Sequence, residues 1–321
     1  MKHTNETLRL RVNRIRAEAK GILSIELNDP QQAELPAFTP GAHLELRLPG
    51  GHRRHYSLFN DPSERNRYLI AVSLAANSRG GSQHIHSSLR EGDMVTSSAP
   101  RNNFALADTA GCYCFVAGGI GITPLMSMIR WCVTQGKDWR LIYTARSSHR
   151  AAFYEDLQAL STKRVQCHFT EESGGRLDHQ ALIASLAADE HLFCCGPDSL
   201  MQALLTAGKA VSNRLHFEWF SPPETLPQAH SADEGFELIL RKSGKVLRVP
   251  PQQSILETLE SHGLEVPWSC RAGICRSCET AVCSGTPEHL DLVLSDEERT
   301  SNQSMLICVS RAVTPSLELN L

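Results

Sequence analysis

Within the first hundred residues, short runs alternate apolar and polar positions at period two: LRLRVNRI, GILSIEL, HLELRL and YLIAVSL. Turn signals, Asn-Asp-Pro, Leu-Pro-Gly-Gly and Glu-Gly-Asp, punctuate them. Period two puts alternate side chains on opposite faces of a strand, so this texture predicts an antiparallel β-barrel or sandwich. From about residue 111 the pattern changes. The apolar run CYCFVAGG leads through a glycine turn into an amphipathic helix, ITPLMSMIRWCVTQG, and two further apolar runs, WRLIYTA and EHLFCCG, precede helix-like segments AAFYEDLQAL and DSLMQALLTAGKAV. Strands alternating with helices predict a parallel, doubly wound α/β sheet.

The stretch SPPETLPQAHSADEG carries no hydrophobic period and reads as a linker. Beyond it, FELILRKSGKVLRVP predicts a hairpin and SILETLESHG a short helix stopped by Gly263. The expected architecture is multidomain: a barrel over 1–107, a doubly wound α/β domain over 108–225, a linker over 226–235 and a further α+β domain over 236–321.

Composition narrows the class of protein. A length of 321 residues suits two or three domains. With 41% hydrophobic residues, 21% charged residues and a formal net charge of -3, the chain is expected to be soluble and globular, without the basic surface that nucleic acid requires. The start, MKHTNETLRLRVNRIRAEAK, has no apolar h-region or cleavage site, and no run reaches the length of a membrane span, so a cytoplasmic protein is expected. Eleven cysteines, an odd count without an export signal, argue against a disulfide framework.

Four of those cysteines form a pattern. Cys270, Cys275 and Cys278 have the spacing C-x4-C-x2-C, and Cys308 follows far downstream in MLICVSRA. Plant-type 2Fe-2S ferredoxins use this spacing, because three thiolates come from one looping segment and a fourth from a distant element. Ala272 and Gly273 are small enough to let backbone N–H groups turn toward the sulfurs. Structural zinc, which prefers paired C-x2-C knuckles, and buried free thiols are the competing readings. Cys283, off the pattern, reads as a small core or surface thiol.

The segment PWSCRAGICRSCETAV, with SDEERTSNQSMLICVSRA around Cys308, resembles the β-grasp-like ferredoxin domain of the phthalate dioxygenase reductase family, which includes vanillate demethylase reductases. One departure stands out: Arg276 occupies the position after the second ligand, where ferredoxins of this type carry Gly. A cation there would raise the cluster potential or meet a partner protein.

The remaining motifs are read beside that resemblance. In RRHYSLFN, Arg54, Tyr56 and Ser57 form R-x-Y-S, and on a strand Arg54 and Tyr56 share a face, so a cation and an aromatic plane can meet a flavin together. The motif resembles the flavin site of the ferredoxin reductase superfamily; an ordinary surface strand is the alternative. In SRGGSQHIHSSL, Arg79, Gly80, Gly81 and Ser82 precede a helix and suit a phosphate, unless they are only a mobile Gly-Gly loop. The resemblance implies FMN rather than FAD, with Ala71, Val72 and Ser73 lining the isoalloxazine edge.

In AGGIGITPLMSM, Gly118, Gly119, Gly121 and Pro124 make a glycine turn that departs from G-x-G-x-x-G. It resembles the shorter turn of flavin-dependent ferredoxin reductases, which would bring Thr123 to the flavin; a generic strand-to-helix turn is the alternative. FCCGPDSLM resembles the C-G-P segment of the same family, and the resemblance implies that Cys195, Gly196, Pro197 and Asp198 lie beside the nicotinamide, with Cys194 on the opposite face of its strand; two buried strand cysteines before a turn are the alternative. Cys195 is not expected to be a nucleophile, since hydride transfer asks for orientation of two π-systems. YTARSSHR lacks an acidic residue at the ribose point and carries Arg146, His149 and Arg150, a basic loop that could take a 2'-phosphate. The resembled family nevertheless uses NADH with an Arg near this position, so Arg146 is assigned to NADH. HFEWFSPPE resembles the segment that closes over the flavin, with Phe220 and Ser221 as candidates and Trp219 as core packing.

Together these features imply a monomeric NADH-dependent iron-sulfur flavoprotein. Ser57, Thr123 and Cys195 would orient hydride transfer from nicotinamide C4 to flavin N5, and electrons would pass singly through the cluster to a separate Rieske-type terminal oxygenase of aromatic degradation. A stand-alone NAD(P)H-dependent flavin or ferric reductase and a ferredoxin-like redox sensor are the alternatives. Aromatic-ring dioxygenases, O-demethylases and N-demethylating monooxygenases are not distinguished, because the substrate lies in the partner.

Overall fold

The alternating runs become six antiparallel strands: β1 (Thr7–Ala19), β2 (Ile22–Asn28), β3 (His43–Leu48), β4 (His52–Ser57), β5 (Tyr68–Ser73) and β6 (Met94–Ser98), with helix α1 (Gly81–Ser87) before the last. A computed structural model describes residues 7–75, 80–172, 177–222 and 235–321. The chain divides into two units, residues 1–218 and 219–321. In the first unit the strand order is β4-β3-β6-β1-β2-β5, and a bridge between Leu58 and Ile70 brings the two edge strands together as a barrel. Leu10, Val12, Ile25, Leu27, Leu44, Leu46 and Val72 fill its interior, one face of each alternating run.

The same unit contains the parallel sheet. Its elements are β7 (Cys112–Gly118), α2 (Ile122–Thr134), β8 (Asp138–Ala145), α3 (Tyr154–Leu160), β9 (Val165–Phe169), α4 (His179–Ala184), β10 (Glu190–Cys195), α5 (Asp198–Ala207) and β11 (Leu215–Glu218). The order is β11-β10-β7-β8-β9, all parallel. The chain therefore winds outward from β7 in one direction, then returns to its other side. That reversal lies between β7 and β10, the place where open α/β sheets leave a crevice at the carboxyl ends of their strands. β7 and β10 are almost wholly buried, which explains the apolar runs at 113–118 and 192–195; the two polar residues that open β10, Glu190 and His191, are buried with the rest of it. The sequence did not announce β9 or β11; VQCHF and LHFE are too short to show a period.

Across the amino-terminal end of β7, its two neighbours are tied by an ion pair. Arg140 on β8 donates to both carboxylate oxygens of Glu190 on β10, at 2.6 and 2.9 Å. The Glu190 side chain is 7% exposed and that of Arg140 is 34% exposed.

The second unit has β12 (Phe236–Leu240), β13 (Lys245–Val249), α6 (Ile255–Ser261), β14 (Glu279–Ser284), β15 (Pro287–Glu288), α7 (Asp296–Ser301), β16 (Ser304–Leu306), β17 (Arg311–Ala312) and β18 (Ser316–Leu319). Its main sheet, β13-β12-β18-β14-β16, is mixed: β12 and β18 run parallel, and the other pairs are antiparallel. The expected hairpin is β12–β13. The expected helix is α6, started by a capping box of Ser254 and Glu257 and followed by Gly263 at φ +70. Most of the linker stretch falls at 223–234, outside the described residues. Among the described residues, no helix is long and apolar enough to cross a membrane.

Replacing Arg140 with Ala leaves the Glu190 carboxylate without its partner. Because Arg140 keeps a third of its exposure, the expected cost is about 2 kcal/mol rather than the larger loss seen for fully buried pairs; urea unfolding of R140A against the parent chain measures it.

Candidate functional site

Two glycine turns meet at the crevice between β7 and β10. A Cβ on Gly118 would stand 2.4 Å from Pro197 Cδ and 3.1 Å from Gly196 Cα. A Cβ on Gly121 would stand 2.1 Å from the Cys195 carbonyl oxygen. Backbone thus packs on backbone, and no larger residue fits either position. Gly119 takes φ +55 to turn the chain into α2. In the first turn of that helix Pro124 is buried where no N–H is missed, and the Thr123 hydroxyl donates to the Ile120 carbonyl at 3.0 Å. Asp198 opens α5 directly after Pro197, while Arg146 lies exposed just beyond β8.

The barrel brings a second group of residues. Leu44 pairs with Tyr56 and Leu46 with Arg54, so Arg54 and Tyr56 share one face of β4, and Ser57, opposite His43, lies on the other. The two glycines before α1 pack on this strand: a Cβ on Gly81 would stand 2.7 Å from Arg54 Nε, and one on Gly80, at φ +92, would stand 2.7 Å from His52 Nε2. Ser82 accepts from the Ala75 N–H at 3.3 Å. Arg79 lies outside the described residues. On β5, Ala71 packs in the core of the parallel sheet and Val72 in the barrel core, with Ser73 half-buried at the strand end. Phe220 and Ser221 belong to the second unit, where Phe220 is 46% exposed.

In the second unit the four patterned cysteines converge. The Cys270 thiol hydrogen-bonds with both Cys275 and Cys308, and Cys308 with Cys278. Backbone N–H groups point at the sulfurs: Ala272 and Ile274 toward Cys270, the former at 3.3 Å, and Gly273 toward Cys308. Gly273, at φ +69, leaves no room for a side chain between Val309 and Asp291. Among the described residues no three His, Cys, Asp or Glu side chains are arranged to hold a metal ion. Four sulfurs ringed by N–H donors suit a binuclear cluster, which divides its thiolates between two irons and needs its negative charge offset.

Arg276 does not reach outward as a partner contact would. Its side chain is 18% exposed and its guanidinium is bound within the unit, to both oxygens of Glu298 at 2.8 and 2.6 Å and to the Val293 carbonyl at 2.8 Å. Of the two expectations for Arg276, direct contact with a partner is disfavoured by this internal pairing. The exposed side of the loop is carried instead by Arg271, stacked on Trp268 at 3.8 Å and paired with Glu260.

The model of the 2Fe-2S iron-sulfur cluster binding domain matches residues 238–313, and that of the oxidoreductase NAD-binding domain matches 115–205. Phenoxybenzoate dioxygenase subunit beta of Ectopseudomonas oleovorans is 41% identical, covering 97% of each chain. Tetrachlorobenzoquinone reductase of Sphingobium chlorophenolicum is 41% identical over 98% of each. A solved structure of phthalate dioxygenase reductase, described as modular for electron transfer from pyridine nucleotides to 2Fe-2S, is 39% identical, covers 98% of both chains and superposes with a TM-score of 0.70. The chain belongs to the phthalate dioxygenase reductase family.

One residue of this family member escaped the sequence reading. Glu218 ends β11 as the register neighbour of Cys195, and the Ser57 hydroxyl donates to its Oε2 at 3.5 Å. Three elements, β4, β10 and β11, therefore bring a hydroxyl, a thiol and a carboxyl together. Burial pushes the Glu218 carboxyl up to about 8, with the Ser57 hydrogen bond pulling the other way, so it is protonated at neutral pH. Burial also holds the Cys195 thiol well above its ordinary value, reinforced by Glu218. A neutral thiol fits the expectation that Cys195 is no nucleophile. The signal for Glu218 was an acid closing the run LHFE, which only the parallel register sets beside C-G-P.

Because the folded carboxyl titrates near 8 and an unfolded one near its ordinary 4.5, the parent loses stability as pH rises between those values, while a Glu218→Gln variant does not. Thermal unfolding across pH should show the two nearly equal at pH 4 and E218Q ahead by about 4 kcal/mol at pH 8.

Proposed function

We propose that the chain is the reductase component of a multicomponent oxygenase or demethylase, carrying electrons from NADH through FMN and a 2Fe-2S cluster to a separate Rieske-type terminal oxygenase. The convergence of Cys270, Cys275, Cys278 and Cys308 on one another within a ring of backbone N–H donors carries this reading. A nicotinamide gives up two electrons together and an iron-sulfur cluster takes one, so the bound flavin is the converter between them.

The side chains assigned here position and shield. Arg54, Tyr56, Gly80, Gly81 and Ser82, with Arg79, hold FMN; the packing of Arg54 on Gly81 supports a cation fixed where a phosphate would lie. Gly118, Gly119, Gly121, Pro124, Arg146 and Cys195 to Asp198 take NADH, in keeping with the crevice at the strand reversal. Ser57 and Cys195 orient the reacting rings. Glu218, protonated and bonded by Ser57, keeps that place free of net charge. Thr123, with its proton given to Ile120, offers its oxygen as an acceptor only. Ala71, Val72 and Ser73 complete the flavin surroundings within the first unit. We assign 1–107 to FMN, 108–225 to NADH and 236–321 to the cluster, with 226–235 as linker.

A second reading follows from the likeness to tetrachlorobenzoquinone reductase, namely that a small quinone rather than a protein takes the electrons. Cys308→Ser separates the two. With the parent chain and C308S each loaded with FMN, stopped-flow mixing with NADH should give equal flavin reduction, while reduction of a one-electron protein acceptor should fall at least a hundredfold in C308S. Unchanged protein-acceptor reduction would sink the proposed electron route, and retained quinone turnover alone would favour the second reading.

A further inference from the structure

Arg276 stands between the second and third cysteines of the cluster loop, Cys275 and Cys278, at φ +58. That left-handed backbone suits glycine; a long side chain keeps it only where surrounding contacts determine the conformation. Here they do. The guanidinium makes a two-pronged pair with Glu298, donates to the Val293 carbonyl, and approaches Glu279 at 3.5 Å. Glu298 in turn accepts from the Ser295 N–H at 2.7 Å as part of the capping box of α7. One carboxylate therefore locks both the start of a helix and the loop between two cysteines.

Two further observations turn this clasp toward the cluster. First, Arg276 Nε is buried and has no hydrogen-bond partner among the described residues. A buried donor normally finds an acceptor, and a cluster held by the flanking cysteines would supply sulfurs able to accept. Second, Glu298 is reached only by the two terminal nitrogens, at the far end of the side chain. The positive charge thus lies nearer the loop backbone than the Glu298 carboxylate that pairs with it, and the Glu298 side chain, unlike that of Arg276, is 41% exposed, so water screens it more.

We propose that Arg276 is a positioning residue of the 2Fe-2S site: clasped by Glu298, it fixes the Cys275–Cys278 loop, and its positive charge raises the cluster's reduction potential against the opposing carboxylates of Glu298 and Glu279. This rests on the reading of the four cysteines as cluster ligands. Reduction adds one electron to the cluster, and a neighbouring cation favours that state while a neighbouring carboxylate opposes it. Removing either member of the pair therefore moves the potential in opposite directions, whereas a merely structural clasp would move both variants the same way.

The test is redox titration of the full-length, iron-loaded chain, followed by EPR of the reduced cluster, with iron content measured alongside. Arg276→Gln should lower the equilibrium constant for cluster reduction about threefold, roughly 28 mV at 59 mV per tenfold for one electron, and Glu298→Gln should raise it by a similar factor. Arg276→Lys, which keeps the charge, should recover more than half of the Arg276→Gln shift. Shifts of the same sign, no shift in either, or loss of iron from all three variants would overturn the proposal. An unsubstituted chain that binds no cluster would overturn the underlying reading of the cysteines instead.

Discussion

Contact of main chain with main chain at the ends of β7 and β10 is the constraint on which the first unit depends. Gly118 faces Gly196 and Gly121 faces the Cys195 carbonyl at separations that exclude any side chain. Such closeness lets two parallel strands end together at the sheet's reversal while each still turns into its own helix, α2 and α5. Without it, Cys195 would not sit in register with Glu218, nor would Glu218 accept from Ser57 on the barrel. The Arg140–Glu190 pair secures the other end of the same strands, so the crevice is braced at both ends of β7.

Electrostatic character separates the two clusters of residues. Around Cys195 the titratable groups are held neutral by burial: the thiol keeps its proton and so does the Glu218 carboxyl at pH 7. The nicotinamide site proposed there gains from having little charge of its own, since fixed charges in a poorly screened site would favour one redox state regardless of the substrate bound. The cysteine loop follows the opposite rule. There, backbone N–H groups supply positive potential next to thiols that must ionise to bind iron.

How much of this the sequence revealed follows from the length scale of each feature. Cysteine spacing, the C-G-P run and the glycine turn before α2 are local patterns, and the hairpin β12–β13 and helix α6 show in their periods and caps. The parallel sheet was legible as a class because β7, β8 and β10 each carry an apolar run followed by a helix-like segment, but β9 and β11 carry too few residues to declare themselves and form through pairing. β14 to β18 are short pieces interrupted by the cysteine loop and α7, so no period survives in them. Glu218 was hidden for the same reason as its strand. Its importance lies in a register set by a partner far away in the sequence.

Arg276 shows where reading residue by residue misleads. Taken alone, a cation between two cysteine ligands suggests an exposed contact, because charged side chains are mostly solvated. Glu298 changes that meaning, and it is visible in the sequence only as the third residue after the capping Ser295. A Glu in that position is fully explained by the helix start, so nothing in the pattern signals a second duty. The second duty arises because α7 packs its first turn against the cysteine loop, allowing one carboxylate to serve both. Glycine at position 276 would satisfy the backbone angle but leave Glu298 with the cap alone. An arginine there holds a strained backbone angle through its pair with Glu298, a coupling that neither residue implies without the other.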